Sequence, residues 1–170
     1  MAKSVLNHKR ILAVDDEPDV LETLKEEILS AAPNSRVDTA TTYEKALELL
    51  TSWSYDLVIL DIMGVRGFDL LQQATAGPNP IPTVMLTAQA FSPAALKKSI
   101  ELGARAYLPK QKLGSLVPFL EDVLTYEYGP AWKRLFKEVE GLFVKGWGPY
   151  WRKPDSAFWE DFKKKISEAK

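Results

Sequence analysis

The feature that most constrains the fold is a short apolar run that ends in a single carboxylate. Residues 57–60 are all branched and apolar, which is typical of a parallel strand buried on both faces of a sheet. Asp61 follows directly. In open α/β sheets, ligands bind outside the carboxyl ends of the strands. Asp61 is therefore a candidate site residue, although aspartate is also common in turns and at helix starts without any further role.

A second apolar run is followed by further acidic residues, which are predicted to lie at the same edge of the sheet. Residues 11–14 are followed by Asp15, Asp16 and Glu17, and Pro18 then suits the first turn of a helix. Carboxylates crowded at one sheet edge repel one another and raise their own pKa values, so such a cluster usually holds a cation. A set of oxygen ligands with open positions suits Mg²⁺, which takes few protein carboxylates and keeps several waters.

Two later strands are predicted to end in hydrogen-bond donors. Residues 81–86 lead to Thr87, and residues 104–109 lead to Lys110. A hydroxyl and an ammonium are the donors that a phosphoryl group on Asp61 would need for its oxygens. Each is an ordinary loop residue by itself. The four strand ends carry, in chain order, an acidic pair, a single aspartate, a hydroxyl and a lysine. This combination is a specific signal.

With these residues the chain resembles the receiver domain of two-component response regulators, over about residues 9–128. The resemblance implies a flavodoxin-like (βα)5 fold, which is an α/β doubly wound parallel sheet with strand order 2-1-3-4-5. It implies Mg²⁺ as the cofactor and a histidine kinase or histidine phosphotransfer protein as the phosphoryl donor. The implied roles are phosphoacceptor for Asp61, metal ligands for Asp15, Asp16, Asp61 and the backbone carbonyl of Met63, phosphate binding for Lys110, the switch for Thr87 and Tyr107, and hydrolysis tuning for Met63 and Gln89.

The chain departs from the family's pattern in two loops. The family's proline four residues after the phosphoacceptor and its glycine eight residues after it are replaced by Val65 and Asp69. Gly64 and Gly67 stand in that loop, which looks two residues shorter. Gln111 stands where the family has a proline after the lysine, often joined by a cis peptide, and cis peptides are essentially a proline feature. An alternative therefore stays open, a receiver that acts without phosphate as a constitutive interaction module.

Two enzyme classes with related sheets fit the sequence less well. A phosphatase of the haloacid dehalogenase type places a second aspartate two residues after its nucleophile, where this chain has Met63. A dinucleotide-dependent enzyme needs a glycine-rich turn after its first strand, where residues 15–18 are acidic and end in proline. We therefore expect a phosphoaccepting signalling protein and not an enzyme with its own substrate.

Composition and charge restrict the kinds of partner and the cellular location that we expect. The net charge of −1 gives no general attraction to nucleic acid or anionic membranes, and the absence of cysteine excludes disulfides and thiolate chemistry. No apolar run is long enough to span a membrane, and the start of the chain does not read as a signal peptide, so we expect a cytoplasmic protein. The single histidine, His8, lies in a predicted N-terminal tail of residues 1–8, so the phosphoryl donor must be another molecule.

The C-terminal extension, residues 129–170, differs in composition from the rest. It carries four of the five tryptophans and a net charge of +4, whereas residues 1–128 carry −5. Residues 132–143 predict one amphipathic helix and residues 156–166 another, with an aromatic loop between them. Helices with this much apolar surface must dock on something, and we expect either the acidic receiver or a second copy of the chain. A partner-binding surface is the alternative.

The predicted output is contact with a downstream protein. The charge of the extension is modest and no helix-turn-helix spacing is visible, which argues against nucleic acid as a partner. The prediction is thus a stand-alone receiver of residues 9–128 with a helical extension. Helices are predicted at residues 18–32, 67–76, 92–102 and 113–126, and a further helix after the second strand is predicted to begin with a capping box of Thr41 and Glu44.

Overall fold

The structure, a computed structural model, describes residues 3–88, 92–126 and 129–168. Its centre is a five-stranded parallel sheet in the order 2-1-3-4-5, which confirms the predicted fold class. The two strands predicted from apolar runs at the middle of the sheet lie where nearly every side chain is buried. The strands are β1 (Arg10–Val14), β2 (Arg36–Ala40), β3 (Leu57–Asp61), β4 (Thr83–Thr87) and β5 (Ala106–Pro109).

Five helices connect and follow the strands on the two faces of the sheet. They are α1 (Pro18–Ala31), α2 (Tyr43–Ser52), α3 (Gly67–Thr75), α4 (Pro93–Glu101) and α5 (Leu116–Thr125), the last preceded by a 3-10 helix at Lys110–Ser115. Helix α1 packs beside α5, and α2 packs beside α3. Ser92 caps α4, because its hydroxyl accepts a hydrogen bond from the Ala95 N–H at 3.1 Å.

The cap of α2 lies one residue later than predicted. Thr42, not Thr41, has the extended backbone of a capping residue, and its hydroxyl accepts a hydrogen bond from the Lys45 N–H at 3.2 Å. The two threonines are adjacent, and either could have capped the helix by side-chain chemistry. Strand β2 ends at Ala40 and α2 begins at Tyr43, so Thr42 is the residue directly before the helix and takes the capping position.

The N-terminal segment is not the loose tail that the sequence suggested. Leu6 is fully buried in the core. The Ser4 hydroxyl donates to the Glu121 carboxylate in α5 at 2.9 Å, and the Asn34 N–H donates to the Asn7 side chain at 3.0 Å. His8 is exposed, as predicted. The buried leucine and these hydrogen bonds together hold residues 4–8 against the sheet domain, which we call the α/β core (residues 3–126).

The extension contains three helices where two were predicted. They are α6 (Pro130–Glu138), α7 (Glu140–Trp147) and, after a 3-10 turn at Lys153–Asp155, α8 (Ser156–Glu168). The predicted first helix is broken at Val139, a turn residue whose φ of −119° is far from the value of about −63° in a regular helix. Valine and the following Gly141 are both poor helix formers, and Val139 is buried at the break. The helix is therefore interrupted at a residue that tertiary packing keeps buried.

The extension docks on the α/β core of its own chain. Helix α6 lies against the edge strand β5 and against α5, where Arg134 pairs with Asp122 at 2.7 Å. Trp132, Leu135 and Phe143 are fully buried and belong to the same apolar cluster as the sheet. An edge strand with open N–H and C=O groups invites unwanted pairing, and α6 covers one side of it here. In the described parts of the chain, no helix is both long and apolar enough to cross a lipid bilayer.

Candidate functional site

Three aspartates meet at the carboxyl end of the sheet. Asp15 follows β1 and Asp61 ends β3, and these strands are parallel neighbours in which Val14 lies opposite Leu60. Asp15 is completely buried and Asp61 is 4% exposed, whereas Asp16 faces solvent. One carboxylate oxygen from each of the three lies within 4.8 Å of the others. Parallel register therefore brings together acids that are 46 residues apart in the chain.

Lys110 reaches into this cluster although Gln111 replaces the family's proline after it. Its ammonium lies 2.7 Å from the Asp15 carboxylate, 3.3 Å from Glu17 and 3.4 Å from Asp61. Burial lowers the pKa of Lys110, but the hydrogen bond to Asp15 and the charges of the other two acids more than offset this and leave the pKa raised. The lysine is therefore a fixed cation at the site. Glu17 was not among the predicted site residues, and only its place in the acidic run 15–17 could have pointed to it.

The acids carry more negative charge than one lysine can balance. Burial, followed by the charge of Asp15, raises the pKa of Asp61 to about 6, although Lys110 opposes the shift. Burial also raises the pKa of Asp15, with Lys110 and the Glu17 N–H acting against it. A second cation would relieve this repulsion. The oxygen-only donor set, part buried and part exposed, fits a divalent cation such as Mg²⁺, which binds through few carboxylates and retains waters.

The site opens into a cavity of about 360 Å³. Met63 stands at its rim with 62% of its surface exposed, and its backbone carbonyl, predicted as a metal ligand, accepts a hydrogen bond from the Val65 N–H at 2.9 Å. Gln89, predicted to tune hydrolysis, lies outside the described residues. The cavity is lined by Asp16, Glu17, Asp61, Met63, Gly64, Ala88 and Lys110.

The shortened loop after Asp61 depends on its two glycines. A Cβ on Gly67 would overlap the Asp61 carbonyl oxygen and lie 2.8 Å from the Ile62 Cα, so α3 can begin this close to β3 only with glycine. Gly64 has a φ of +78°, and a Cβ there would overlap the Asp16 carboxylate. The turn is tight enough to place Arg66 in the left-handed region as well, at φ 55°. The loop thus packs directly on a candidate metal ligand.

The two predicted switch residues lie beside each other on neighbouring strands. Thr87 ends β4 and is 1% exposed, and Tyr107 in β5 is fully buried. Tyr107 lies opposite Met85, two residues before Thr87, so the three side chains share one face of the sheet. Burial raises the pKa of the Tyr107 phenol.

Tyr107 also contacts the extension. Its ring meets that of Phe143 in α7 edge to face, with centroids 6.4 Å apart and planes at 70°. This contact therefore links the receiver part of the chain to the C-terminal extension, two segments that differ in composition. Phe143 was predicted only as one apolar position of a helical stripe, and no local signal identifies its partner.

The family is identified by comparison with known proteins. The family described as "Response regulator receiver domain" matches residues 11–118, which is more than half of the chain. The chain therefore belongs to the response regulator receiver domain family, as the resemblance predicted, and so to two-component signalling. Receiver domains are signalling modules and bind Mg²⁺ at an acidic pocket of the kind described above.

Individual relatives support the same assignment. The chain is 32% identical over 114 residues to a Vibrio cholerae protein named "Probable cyclic di-GMP phosphodiesterase", covering 65% of this chain and 25% of that protein. It is 33% identical over 109 residues to the gliding motility regulatory protein of Myxococcus xanthus, covering 62% and 14%. It thus spans a quarter or less of these relatives. A crystallised Chloroflexus aurantiacus protein assigned as a response regulator is 29% identical, with a TM-score of 0.61, 69% of this chain covered and 98% of that one.

Proposed function

We propose that the chain is a phosphorylation switch in which Asp61 accepts a phosphoryl group from a histidine kinase or a histidine phosphotransfer protein. The observation that carries the proposal is the position of the Lys110 ammonium between the buried carboxylates of Asp15 and Asp61, at the mouth of an open cavity. An Asp61 oxygen attacks phosphorus, the P–N bond of phosphohistidine breaks, and the imidazole leaves with the electron pair and takes up a proton. No further reactant is needed for this transfer.

Each residue of the site has a separate role in the phosphoryl transfer. Asp15, Asp16 and Asp61 would hold Mg²⁺, which when bound neutralises charge on the phosphoryl oxygens. Lys110 exchanges its contact with Asp61, at 3.4 Å, for a phosphoryl oxygen. The Thr87 hydroxyl donates a second hydrogen bond, since Thr87 ends β4 at the same edge of the sheet where Asp61 ends the neighbouring strand β3. Met63 has no group that could activate water, so it leaves hydrolysis slow.

The output is a change in a protein-binding surface. Thr87 and Tyr107 lie on β4 and β5, so movement of either alters the face around β4, α4 and β5 and with it the preference for a partner. The partners we propose are the phosphoryl donor and a downstream protein effector. The division of the chain into a receiver of residues 9–128 and an extension of residues 129–170 remains a prediction that goes with this function.

Intact mass tests the proposal. The protein is incubated with acetyl phosphate, with Mg²⁺ or with EDTA, beside the variants Asp61→Asn and Asp69→Asn. Asp69 is a matched control because it is a half-exposed carboxylate that pairs with Arg66 outside the cavity. We expect one added phosphoryl group on wild type and Asp69→Asn, dependent on Mg²⁺, and none on Asp61→Asn.

Two results would contradict the proposal. No added mass, under conditions where an established receiver domain is labelled, would favour the phosphate-independent interaction module. An adduct that persists in Asp61→Asn would move the acceptor to another carboxylate, which peptide mapping would identify.

A further inference from the structure

We propose that the C-terminal extension contains a second ligand site, a cavity between α6 and α8 that binds a small amphipathic anion. By this we mean an apolar chain or ring system that carries one carboxylate or sulfonate group. The cavity has a volume of about 610 Å³, and it shares no lining residue with the cavity beside Asp61. The site is therefore separate from the proposed phosphorylation chemistry.

The floor of the cavity is apolar and already packed. Phe136 of α6 and Phe162 of α8 meet with ring centroids 6.0 Å apart, and Trp159 meets Phe162 at 6.1 Å. Ile166 continues this surface along α8. Trp159, Phe162 and Ile166 belong to the buried apolar cluster, and Phe136 packs against it. Because these side chains hold one another in place, the cavity is formed before any ligand binds, as is usual for small-molecule sites.

The rim of the cavity is positively charged. Four basic side chains line it against two acidic ones, which gives a net charge of +2. The stem of a lysine is apolar and its ammonium stays in water, so a rim lysine can cover the side of an apolar ligand and still face a negative charge. An apolar floor under a cationic rim favours a ligand with an apolar body and an anionic head. The basic residues are Lys133, Arg152, Lys153 and Lys163, and the acidic ones are Glu140 and Glu160.

Arg152 is the cation of the rim that the structure holds most firmly. Its guanidinium pairs with Glu140 and lies over the Phe136 ring at 5.3 Å and over the Trp151 ring at 4.4 Å. A guanidinium has five N–H donors, and a carboxylate bound at both oxygens uses two of them. The Arg152 side chain is 41% exposed, so further donors are open to a ligand. We therefore place the anionic head beside Arg152 and the apolar body along α8.

The dimensions of the cavity favour a small molecule over a helix from a partner protein. Small-molecule sites usually measure about 300–1,000 Å³, which includes the volume found here. Twelve residues line the cavity, whereas a standard protein interface buries about 20–30 residues on each side. The lining stretch of α8, from Ser156 to Ser167, is roughly 16 Å long at about 1.5 Å per residue. This length suits a fatty chain of medium length or a pair of fused rings.

Binding of anilinonaphthalene sulfonate to the full chain tests the inference. This probe joins aromatic rings to a sulfonate, and its emission rises in an apolar site. We expect saturable binding of one probe per chain and displacement of the probe by decanoate. Decyltrimethylammonium is the matched control, with the same alkyl chain and the opposite charge, and it should displace the probe about tenfold less effectively or worse. Both competitors are used below the concentrations at which they form micelles.

Two pairs of neighbouring residues on α8 separate binding in the cavity from general attraction to charge. Lys163→Glu reverses a charge at the rim and should weaken probe binding about tenfold, whereas Lys164→Glu, outside the cavity, should bind as wild type does. Glu160→Gln removes an acid from the rim and should tighten binding about threefold, whereas Asp161→Asn should leave it unchanged. All four side chains are exposed, so we expect the variants to fold, and thermal unfolding checks this.

Three results would overturn the inference. The first is an absence of saturable binding. The second is equal displacement by decanoate and decyltrimethylammonium, because the rim would then not select charge. The third is an equal loss of affinity in Lys163→Glu and Lys164→Glu, which would place the probe outside the cavity. No phosphoryl donor is present in these measurements, so their failure leaves the proposed function standing, and a failure of phosphorylation leaves this inference standing.

Discussion

Replacing Asp61 by asparagine should stabilise the protein when no divalent cation is present. The amide keeps the shape of the carboxylate and removes a charge that burial and Asp15 disfavour. The pKa of Asp61 is raised from 3.8 to about 6, and two pKa units correspond to about 3 kcal/mol. The site opens to solvent through its cavity, which screens the charges, so we expect a gain of about 1–2 kcal/mol at pH 8.

The gain should depend on pH, with a sign that follows from the raised pKa. Below pH 3.8 Asp61 is protonated in both the folded and the unfolded chain, and its contribution is the same in each. As the pH rises, the unfolded chain releases the proton first, so the folded state binds more protons and loses stability until the pH passes about 6. The difference between Asp61→Asn and wild type should therefore be small near pH 4 and reach its full value above pH 7.

Thermal unfolding in EDTA measures the effect. For a chain of this length, about 1–2 kcal/mol corresponds to a rise in Tm of roughly 2–8 °C. Added Mg²⁺ should stabilise wild type by mass action and remove much of the difference. The control Asp69→Asn, a half-exposed carboxylate, should stay close to wild type at both pH values. If Asp61→Asn were no more stable than wild type at pH 8 in EDTA, the repulsive acid cluster would be the wrong description of the site.

Two glycines of the loop after β3 give further predictions, each with a control. Gly67→Ala should lower the free energy of unfolding, measured in urea, by about 3 kcal/mol, because its Cβ would overlap the backbone of β3. The control Gly141→Ala meets nothing within 4 Å and should raise the free energy of unfolding by about 0.5–1 kcal/mol. Equal effects of the two changes would refute the close approach of α3 to β3. Gly64→Ala should weaken Mg²⁺ binding about tenfold in a calorimetric titration, because its Cβ would displace Asp16. Gly77→Ala has a similar positive φ and open surroundings, so it should lose stability but bind Mg²⁺ as wild type does.

The sheet and the convergence of the site could be predicted because both follow from simple periodic rules. Short apolar runs between helical patterns indicate parallel strands, and the carboxyl ends of parallel strands meet at one edge whatever the loops do. Asp15, Asp61 and Lys110 therefore could be placed together before any distance was known. The altered residue after Lys110 did not prevent this, since the lysine side chain is long enough to reach the acids from the first residue of the 3-10 helix.

The errors have a common physical origin. Thr41 and Thr42 have the same capping chemistry, and the end of β2 chooses between them. The break at Val139 and the burial of Leu6 likewise depend on contacts with residues far along the chain. Sequence patterns report local preference and apolar faces, whereas the partner of each face is set by tertiary packing. For the same reason, Phe143 could be predicted to be buried but not to lie on Tyr107.

The break at Val139 divides the first part of the extension into two short helices that bury different side chains. Helix α6 begins directly after the core and buries Trp132 and Leu135 in the shared apolar cluster, so its removal would expose large apolar surface. Helix α7 contributes Phe143, whose ring meets that of Tyr107 edge to face. The two helices are therefore anchored to the core by different side chains, and neither needs helical continuity through Val139 to keep its place.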